Sequence, residues 1–294
     1  MRIAVFGATG VVGRALVPRL AERNEVVAVS RHAQPARRVN VETATADVTD
    51  APAVRRVLAG IDVVYYLVHS LGSPDYAERD RSGAANVARE AERAGVTQIV
   101  YLGGLGDDTP ALSPHLRSRI DTATALASGA VPVTTLRAAV VVGRGSAGFE
   151  TIVALVNRLP LMIAPRWVST ETQPIALADI ARYLDGVAGH KGAIGRSFDV
   201  GGPEVLTYRE MIETVARLEG KRRLIVEVPV LTPRLSSYWL HLVTPVRAGV
   251  AMPLVEGLRN PTVARDDDIR RLVPVDLASF EEAARAALHG LRFG

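Results

Sequence analysis

An α/β fold built on a doubly wound, Rossmann-type parallel sheet with a smaller C-terminal lobe is the fold class that this sequence predicts, and three features predict it. The chain opens MRIAVFGATGVVGR, a short apolar run followed by glycines at positions 7, 10 and 13 and then by helical patterning. Strand-like apolar runs go on alternating with helical stretches, the order that builds βαβ units. One of those runs, IDVVYYLV at residues 61–68, is almost continuously apolar, as expected of a parallel strand covered on both faces.

Composition narrows the function classes. The 294 residues are 48% hydrophobic and 22% charged, which fits a soluble globular protein of one large domain or two intimate ones. Cysteine is absent, so disulfides and thiolate-held zinc or iron–sulfur sites are excluded, in keeping with a reducing cytoplasm. A strand beginning at residue 2 leaves no room for a signal peptide, and a cytoplasmic location is expected. The net charge of +4 comes mostly from scattered arginines with acidic neighbours; Lys191 and Lys221 are the only lysines, and no nucleic-acid stripe is visible. The most membrane-like stretch, residues 238–258, is interrupted by His241, Pro245, Arg247, Pro253 and Glu256, so a buried or groove-lining helix pair is expected there rather than a span.

Taken in order, residues 2–6 read as the first strand and residues 11–20 as the first helix. Glycine at this spacing gives the turn its freedom and lets a pyrophosphate reach main-chain N–H groups without a Cβ in the way, at the positive end of the helix. Gly7, Thr9, Gly10, Val11, Val12 and Gly13 are therefore expected to bind a dinucleotide, although the spacing is GxxGxxG rather than GxGxxG. Residues 25–30 form the second strand, which ends in Ser30-Arg31 with no carboxylate for a ribose 2′-hydroxyl. Arg31, with the Ser30 hydroxyl and Arg37 or Arg38 as further cations, points to a 2′-phosphate and so to NADP(H) in preference to NAD(H).

Residues 41–48 alternate as a third strand, and Asp50 is placed to cap a helix through residue 58. Asp47 either accepts from an adenine amino group, with Val48 against the ring, or caps the turn. The strand at 61–68 brings Leu67, Val68, His69 and Ser70 to the carboxyl edge of the sheet, beside the nicotinamide half of a dinucleotide. A helix over 76–94, a strand over 98–102, a helix over about 114–127 and a strand over 131–143 follow.

The segments GATGVVG, DRSGAANVAREAERAGV with its Asp80-to-Asn86 spacing, and TQIVYLGGLG resemble the atypical short-chain dehydrogenase/reductases. More narrowly, YYLVHSLG, LSPHLRSR, TLRAAVVVG and TQPIALADIARYL together resemble the NAD(P)H-binding subgroup related to NmrA-like and YbjT-like proteins, over residues 1 to about 260. The resemblance implies a Rossmann-type sheet and a nicotinamide cofactor. It also implies a serine at the end of the fifth strand and a YxxxK pair on the next helix, where the tyrosine moves the proton and the lysine binds the nicotinamide ribose. This chain departs from that pattern, with Gly103-Gly104 in place of the serine and with His115 and Arg119 in place of the pair. Histidine, with an ordinary pKa of about 6.5, supplies a proton near neutrality without help, and Arg119 keeps the positive charge without giving up a proton. The alternative is that both stand on the helix away from the chemistry. His69 and Ser70 are further proton-donor candidates, and Gly103-Gly104 offers close backbone approach to the nicotinamide.

Residues 1–145 are thus expected to form the dinucleotide-binding domain, and 146–294 a mixed substrate lobe with about 175–200 returning to the core. Arg137, inside the sixth strand, needs a partner or an anion and is a candidate for substrate. A helix over 146–157 points its amino end at the cleft, and the loop PLMIAPRWVSTETQP, residues 160–174, forms a cleft wall carrying Trp167 and Gln173. Trp167 is either a substrate platform or core. A helix at 175–186, a strand at 197–200, a helix capped by Thr207 with Glu210, an extra lobe strand in RRLIVEVPV and a last helix over 280–288 complete the reading. Tyr238, Trp239, His241 and Met252 either line an apolar pocket or are core. Asp266, Asp267 and Asp268 lack the spacing of a calcium loop and read as a solvated helix start, so no metal is expected.

Two functions fit these observations. One is an NADP(H)-dependent oxidoreductase moving hydride to or from a small, largely apolar carbonyl or conjugated substrate; the other is an inactive NADP(H)-binding sensor. An open apolar pocket at the nicotinamide face favours the first, and a filled one the second. A small molecule is the expected partner, with no nucleic acid and no membrane, and a homo-oligomer is left open.

Overall fold

The computed structural model describes residues 1–35, 38–70, 73, 75–106, 109–110, 112–228 and 257–290. Arg37, the Leu71-Gly72 end of the YYLVHSLG motif, and the Tyr238, Trp239, His241 and Met252 group lie outside the described residues. Seven strands make one parallel sheet: β1 (Arg2–Phe6), β2 (Glu25–Ser30), β3 (Val41–Thr45), β4 (Val63–Tyr66), β5 (Gln98–Gly104), β6 (Val133–Ala138) and, much later in the chain, β11 (Ser197–Val200). Their order is β11-β6-β5-β4-β1-β2-β3, so the winding reverses between β1 and β4. Helices α1 (Val11–Leu20), α2 (Ala51–Leu58), α3 (Tyr76–Ala94) and α4 (Pro114–Leu126) connect the strands.

The two faces of β1 show why this sheet is buried on both sides. Ile3 and Val5 pack with Leu16 and Val17 of α1 and with Ile180 and Leu184 of α6 (Leu177–Val187). Ala4 and Phe6, pointing the other way, pack with Val54 of α2, Val87 of α3 and Leu126 of α4. Period-two alternation thus feeds two separate cores from one five-residue strand. Local capping signals are realised as the sequence predicts: Asp50 Oδ1 accepts from the Ala53 N–H at 3.1 Å, and Thr207 and Glu210 close a reciprocal capping box.

A third core forms the lobe. It joins α5 (Ala147–Arg158), β8 (Leu161–Pro165), α7 (Tyr208–Leu218) and α9 (Phe280–His289) through Phe149, Ile152, Met162, Trp167, Met211 and Phe280. The expected strand at 131–143 is broken in two: β6 stops at Ala138, whose partner in β11 is Val200, the last residue of that strand. With no neighbour left to bond, the chain leaves the sheet. It forms the short β7 (Val141–Val142), which pairs with β10 (Ile175–Ala176).

The expected loop at 160–174 is likewise corrected. It contains β8, a 3₁₀ turn (Arg166–Ser169) and β9 (Glu171–Thr172). The extra lobe strand, β13 (Leu224–Val228), is the parallel partner of β8, a pairing across about sixty residues that proline punctuation conceals; β9 pairs with β12 (Leu206–Thr207). Asp268 starts the short α8 (Asp268–Leu272), and the described residues include no acidic or histidine cluster able to hold a metal ion. Nor is any helix among them long and apolar enough to cross a membrane.

Candidate functional site

The site grows from the turn between β1 and α1, at the point where the sheet winding reverses, which is where open α/β sheets bind ligands. Its three glycines do three different things. Gly7 has φ +86°, and a Cβ there would stand 2.7 Å from the Leu67 carbonyl oxygen, so the turn and its close passage over β4 both require glycine. A Cβ on Gly13 would collide with the Gly7 carbonyl, so that position lets α1 press onto the turn. Gly10 is in ordinary extended backbone at φ −70° and its Cβ would meet only the Gly7 oxygen, at 3.2 Å, within 4 Å. Gly10 therefore leaves a cradle open at the amino end of α1.

That end has no acidic residue in its first turn and no side-chain cap. Helix geometry leaves its first N–H groups without intrahelical acceptors, and the helix dipole adds positive potential there. Arg14 Nη1 donates to the Thr9 carbonyl at 2.7 Å and holds the loop. The cradle fits an anionic pyrophosphate.

A cavity of about 500 Å³ extends from Gly7, Gly10, Val11, Val12 and Gly13 past Leu67, His69 and Gly103-Gly104 to Val140, Ile152, Trp167 and Tyr208 of the lobe. Most of its lining is apolar. Trp167 is 7% exposed in the lobe core, set edge-on against Tyr208, and it forms part of the cavity wall. The amino end of α5 also reaches the cavity through Ser146, whose hydroxyl donates to the Val141 carbonyl at 2.6 Å.

His69, just beyond β4, and His115 and Arg119 of α4 form a polar part of the wall, with Asp80 of α3 behind His69. Asp80, 1% exposed, accepts from the Ser70 N–H at 2.8 Å and lies 2.6 Å from His69 Nδ1. Burial raises the Asp80 pKa, but the hydrogen bonds from His69 and Ser70 and the His69 charge outweigh it and hold the carboxyl below its usual range. An ionised carboxylate only accepts, so Nδ1 carries the proton and the neutral ring has its lone pair on Nε2. His69 Nε2 is buried and has no hydrogen-bond partner among the described residues. The His69 pKa is lowered, by burial first and also by Arg119, against the raising effect of Asp80.

His115 faces His69 with ring centroids 5.1 Å apart, and both line the cavity. Burial, then His69 and Arg119, push its pKa down to about 3. This corrects the expectation of a proton held there near neutrality: His115 is a neutral imidazole. Arg119 donates to the Leu102 carbonyl and lies over the Tyr101 ring at 5.1 Å, so its charge is anchored to the end of β5.

The remaining predicted residues fall outside the cavity lining. Ser70 stands behind His69, bonded to Asp80, and Val68 packs into the core under α2 and α3. Ser30 donates to the His32 carbonyl at 2.6 Å. Arg31 is exposed at the end of β2, near enough for its charge to act on Asp47. One Asp47 oxygen accepts from the Thr49 N–H and hydroxyl at 2.9 and 2.7 Å, closing the turn, while the other lies 3.5 Å from Arg79. Val48 packs against α3 at Gly83. Arg137 is paired with Asp199, and Gln173 is spent on the chain itself, donating to the Gly202 carbonyl and accepting from the Ala264 N–H.

Two residues were given no role at the site by the sequence, although Asp80 belongs to a quoted motif. Asp80 shares the inward face of α3 with Gly83, Ala84, Val87 and Ala91, and an acid on an apolar stripe was the available signal. Arg79 carried none. The Asp80-to-Asn86 spacing has a structural meaning here: Asp80 holds the end of β4, and Asn86 donates to the Val48 and Thr49 carbonyls.

Residues 7–138 match the model of a family described as NAD(P)H-binding. The match covers somewhat less than half of the chain. An uncharacterized protein of Mycobacterium tuberculosis is 38% identical over 102 residues, which are 34% of this chain and 12% of that protein, so the chain matches about an eighth of that relative's length. The (4-alkanoyl-5-oxo-2,5-dihydrofuran-3-yl)methyl phosphate reductase of Streptomyces griseus is 29% identical over 231 residues, 74% of each chain. Among solved structures, a nucleoside-diphosphate-sugar epimerase from Staphylococcus aureus superposes with a TM-score of 0.79 at 17% identity, covering 97% of this chain and 100% of its own. An NADPH-dependent quinone oxidoreductase from Escherichia coli in complex with NADPH superposes at 0.72 and 22% identity, covering 96% and 98%. At these identities the structures show a shared fold.

Proposed function

We propose that this chain is an NADP(H)-dependent oxidoreductase acting on a small, largely apolar carbonyl or conjugated substrate. The observation that carries the reading is the cavity: it joins the glycine cradle to an apolar wall built by the lobe. A bound nicotinamide supplies or takes up hydride. The chain's part is to hold the pyrophosphate on Gly7, Gly10 and the amino end of α1 and to let a ring approach the bare backbone of Gly103-Gly104. It also excludes water with Trp167, Ile152 and Leu155. Arg31 and the absence of a carboxylate at the end of β2 support a 2′-phosphate and hence NADP(H). The reductase relative and the NADPH-bound quinone oxidoreductase support the same chemistry.

The test is a parallel titration with NADPH, NADP⁺, NADH and NAD⁺, followed by a screen of quinones and enones with the cofactor that binds. Tight binding of both phosphorylated forms with turnover of one compound class bears the reading out. The bare Gly103-Gly104 backbone, which offers no hydroxyl donor, favours a second reading, an NADP(H) sensor. Binding of a single redox form without any turnover selects it.

A further inference from the structure

The proposed reaction needs a proton as well as a hydride, and the usual hydroxyl donors are missing from this chain. Among the described residues that line the cavity, the ionisable side chains near Gly103-Gly104 are His69, His115 and Arg119. Arg119 does not release a proton, and it is committed to the Leu102 carbonyl. Among the described residues His115 has no carboxylate partner, and its Nδ1 is buried without a hydrogen bond. Of these three, and among the described residues, His69 alone has a carboxylate behind it, at 2.6 Å, and an unpartnered buried nitrogen on its other side.

We propose that Asp80 and His69 form a proton-transfer dyad in which His69 Nε2 exchanges the proton of the substrate oxygen while Asp80 fixes the ring. This rests on the oxidoreductase reading above. In the reducing direction, hydride adds to the carbonyl carbon as the C=O π pair takes the proton from Nε2 of the imidazolium. The ring returns to the neutral Nδ1–H form, and solvent restores the proton. In the oxidising direction the neutral Nε2 lone pair takes the hydroxyl proton as hydride leaves the carbon. Asp80 is a positioning residue; it stays ionised and does not touch the substrate.

The groups facing His69 are Asp80 and Tyr76 on α3 and His115 and Arg119 on α4. Arg119 and the buried surroundings favour the neutral ring, and Asp80 favours the charged one. The dyad therefore passes between two protonation states at a cost that Asp80 moderates.

The carboxylate also makes a specific prediction about its amide. Asp80 Oδ1 accepts from the Ser70 N–H, so in Asp80→Asn the carbonyl oxygen keeps that bond and the NH₂ group faces His69 Nδ1. An NH₂ group donates, so the ring proton must move to Nε2, where it blocks the lone pair.

The experiment combines nitrogen-correlated NMR of the histidine rings in the cofactor-free protein with kinetics. The wild type is expected to show His69 as the Nδ1–H tautomer and Asp80→Asn as the Nε2–H tautomer. With a quinone or enone that the wild type turns over, His69→Gln is expected to lower kcat by about 10²–10⁴-fold, the usual range for a general acid or base. Its KM and NADPH affinity should be little changed, and the inflection in the pH profile of kcat should disappear. An Nε2–H tautomer in the wild type overturns the dyad. An Nδ1–H tautomer with an unchanged pH profile in His69→Gln overturns the proton-transfer role. If the wild type turns over no carbonyl compound, the oxidoreductase reading fails and takes that role with it, while the tautomer result still decides whether Asp80 orients His69.

Discussion

Arg137 and Asp199 are register partners on the adjacent parallel strands β6 and β11, and their side chains form an ion pair. Asp199 is 1% exposed and takes a second cation, Arg265 Nε, at 3.0 Å on its other oxygen. The arginine that looked available for a substrate anion is thus part of a clamp that ties the last strand of the sheet to the segment just before α8. Removing one member of a buried pair costs about 3–5 kcal/mol, because the other charge is left unmatched. Asp199→Ala should therefore lower the melting temperature by several degrees while NADPH affinity measured on the remaining folded protein stays near that of the wild type. Arg137→Met should cost less, since Arg265 still meets Asp199. Calorimetry and a fluorescence titration check both, and a large loss of affinity at unchanged stability would return Arg137 to the binding site.

The glycine turn separates packing from binding. Gly13→Ala drives a Cβ into the Gly7 carbonyl and should destabilise the fold. Gly10→Ala needs no forbidden backbone and costs stability by less than about 1 kcal/mol, as for glycine to alanine at a helix cap. Its methyl group nevertheless enters the cradle, so NADPH binding should fall by an order of magnitude or more. Equal losses of stability in the two variants would show that the cradle is only a turn.

Cofactor choice turns on the exposed end of β2. A hydrogen bond to a charged group contributes about 1.5–3 kcal/mol, so Arg31→Ala should weaken NADPH by roughly 10- to 100-fold and leave NADH almost unchanged. Arg79, 3.5 Å from Asp47 on the neighbouring helix, should matter less to this ratio because its charge is partly matched. Side-by-side Kd values for the two cofactors in both variants decide it, and equal weakening of NADPH and NADH by Arg31→Ala would remove the 2′-phosphate argument.

What could be read from the chain follows the range of the interaction concerned. The glycine turn, the Asp50 cap and the Thr207–Glu210 box are made within a few residues, and each is visible in the sequence and present in the fold. The extents of β1 and β2 were legible because their apolar runs are continuous, and that of α3, 76–94, because Gly95 stops a helical pattern. Partners far along the chain were not. β8 looked like loop because β13 lies about sixty residues on, and Arg137 looked unpaired because Asp199 is equally distant. The Asp80–His69 contact joins a strand end to a helix face, and no periodicity announces it. For His115 the residue was legible and its chemistry was not, since what lowers its pKa is burial, then His69 beyond the end of β4 and Arg119 on its own helix.

That lowered pKa has a consequence for stability. The unfolded chain takes up a proton on residue 115 below about pH 6.5, whereas the folded protein leaves it neutral down to about 3. Between those values the unfolded state binds more protons, so stability is fully present above about pH 6.5 and is lost as the pH falls. One such group contributes a slope of about 1.4 kcal/mol per pH unit, and His69, whose pKa is also lowered, adds in the same direction. His115→Phe should therefore flatten the decline in urea midpoint between about pH 6.5 and 5, a range in which ordinary carboxylates have barely begun to titrate. The wild-type midpoint should fall faster with pH than that of His115→Phe across this range, whichever protein is the more stable at pH 7. Parallel curves would mean that His115 is hydrated in the folded protein, and the neutral wall of the cavity would then have to be assigned to His69 alone.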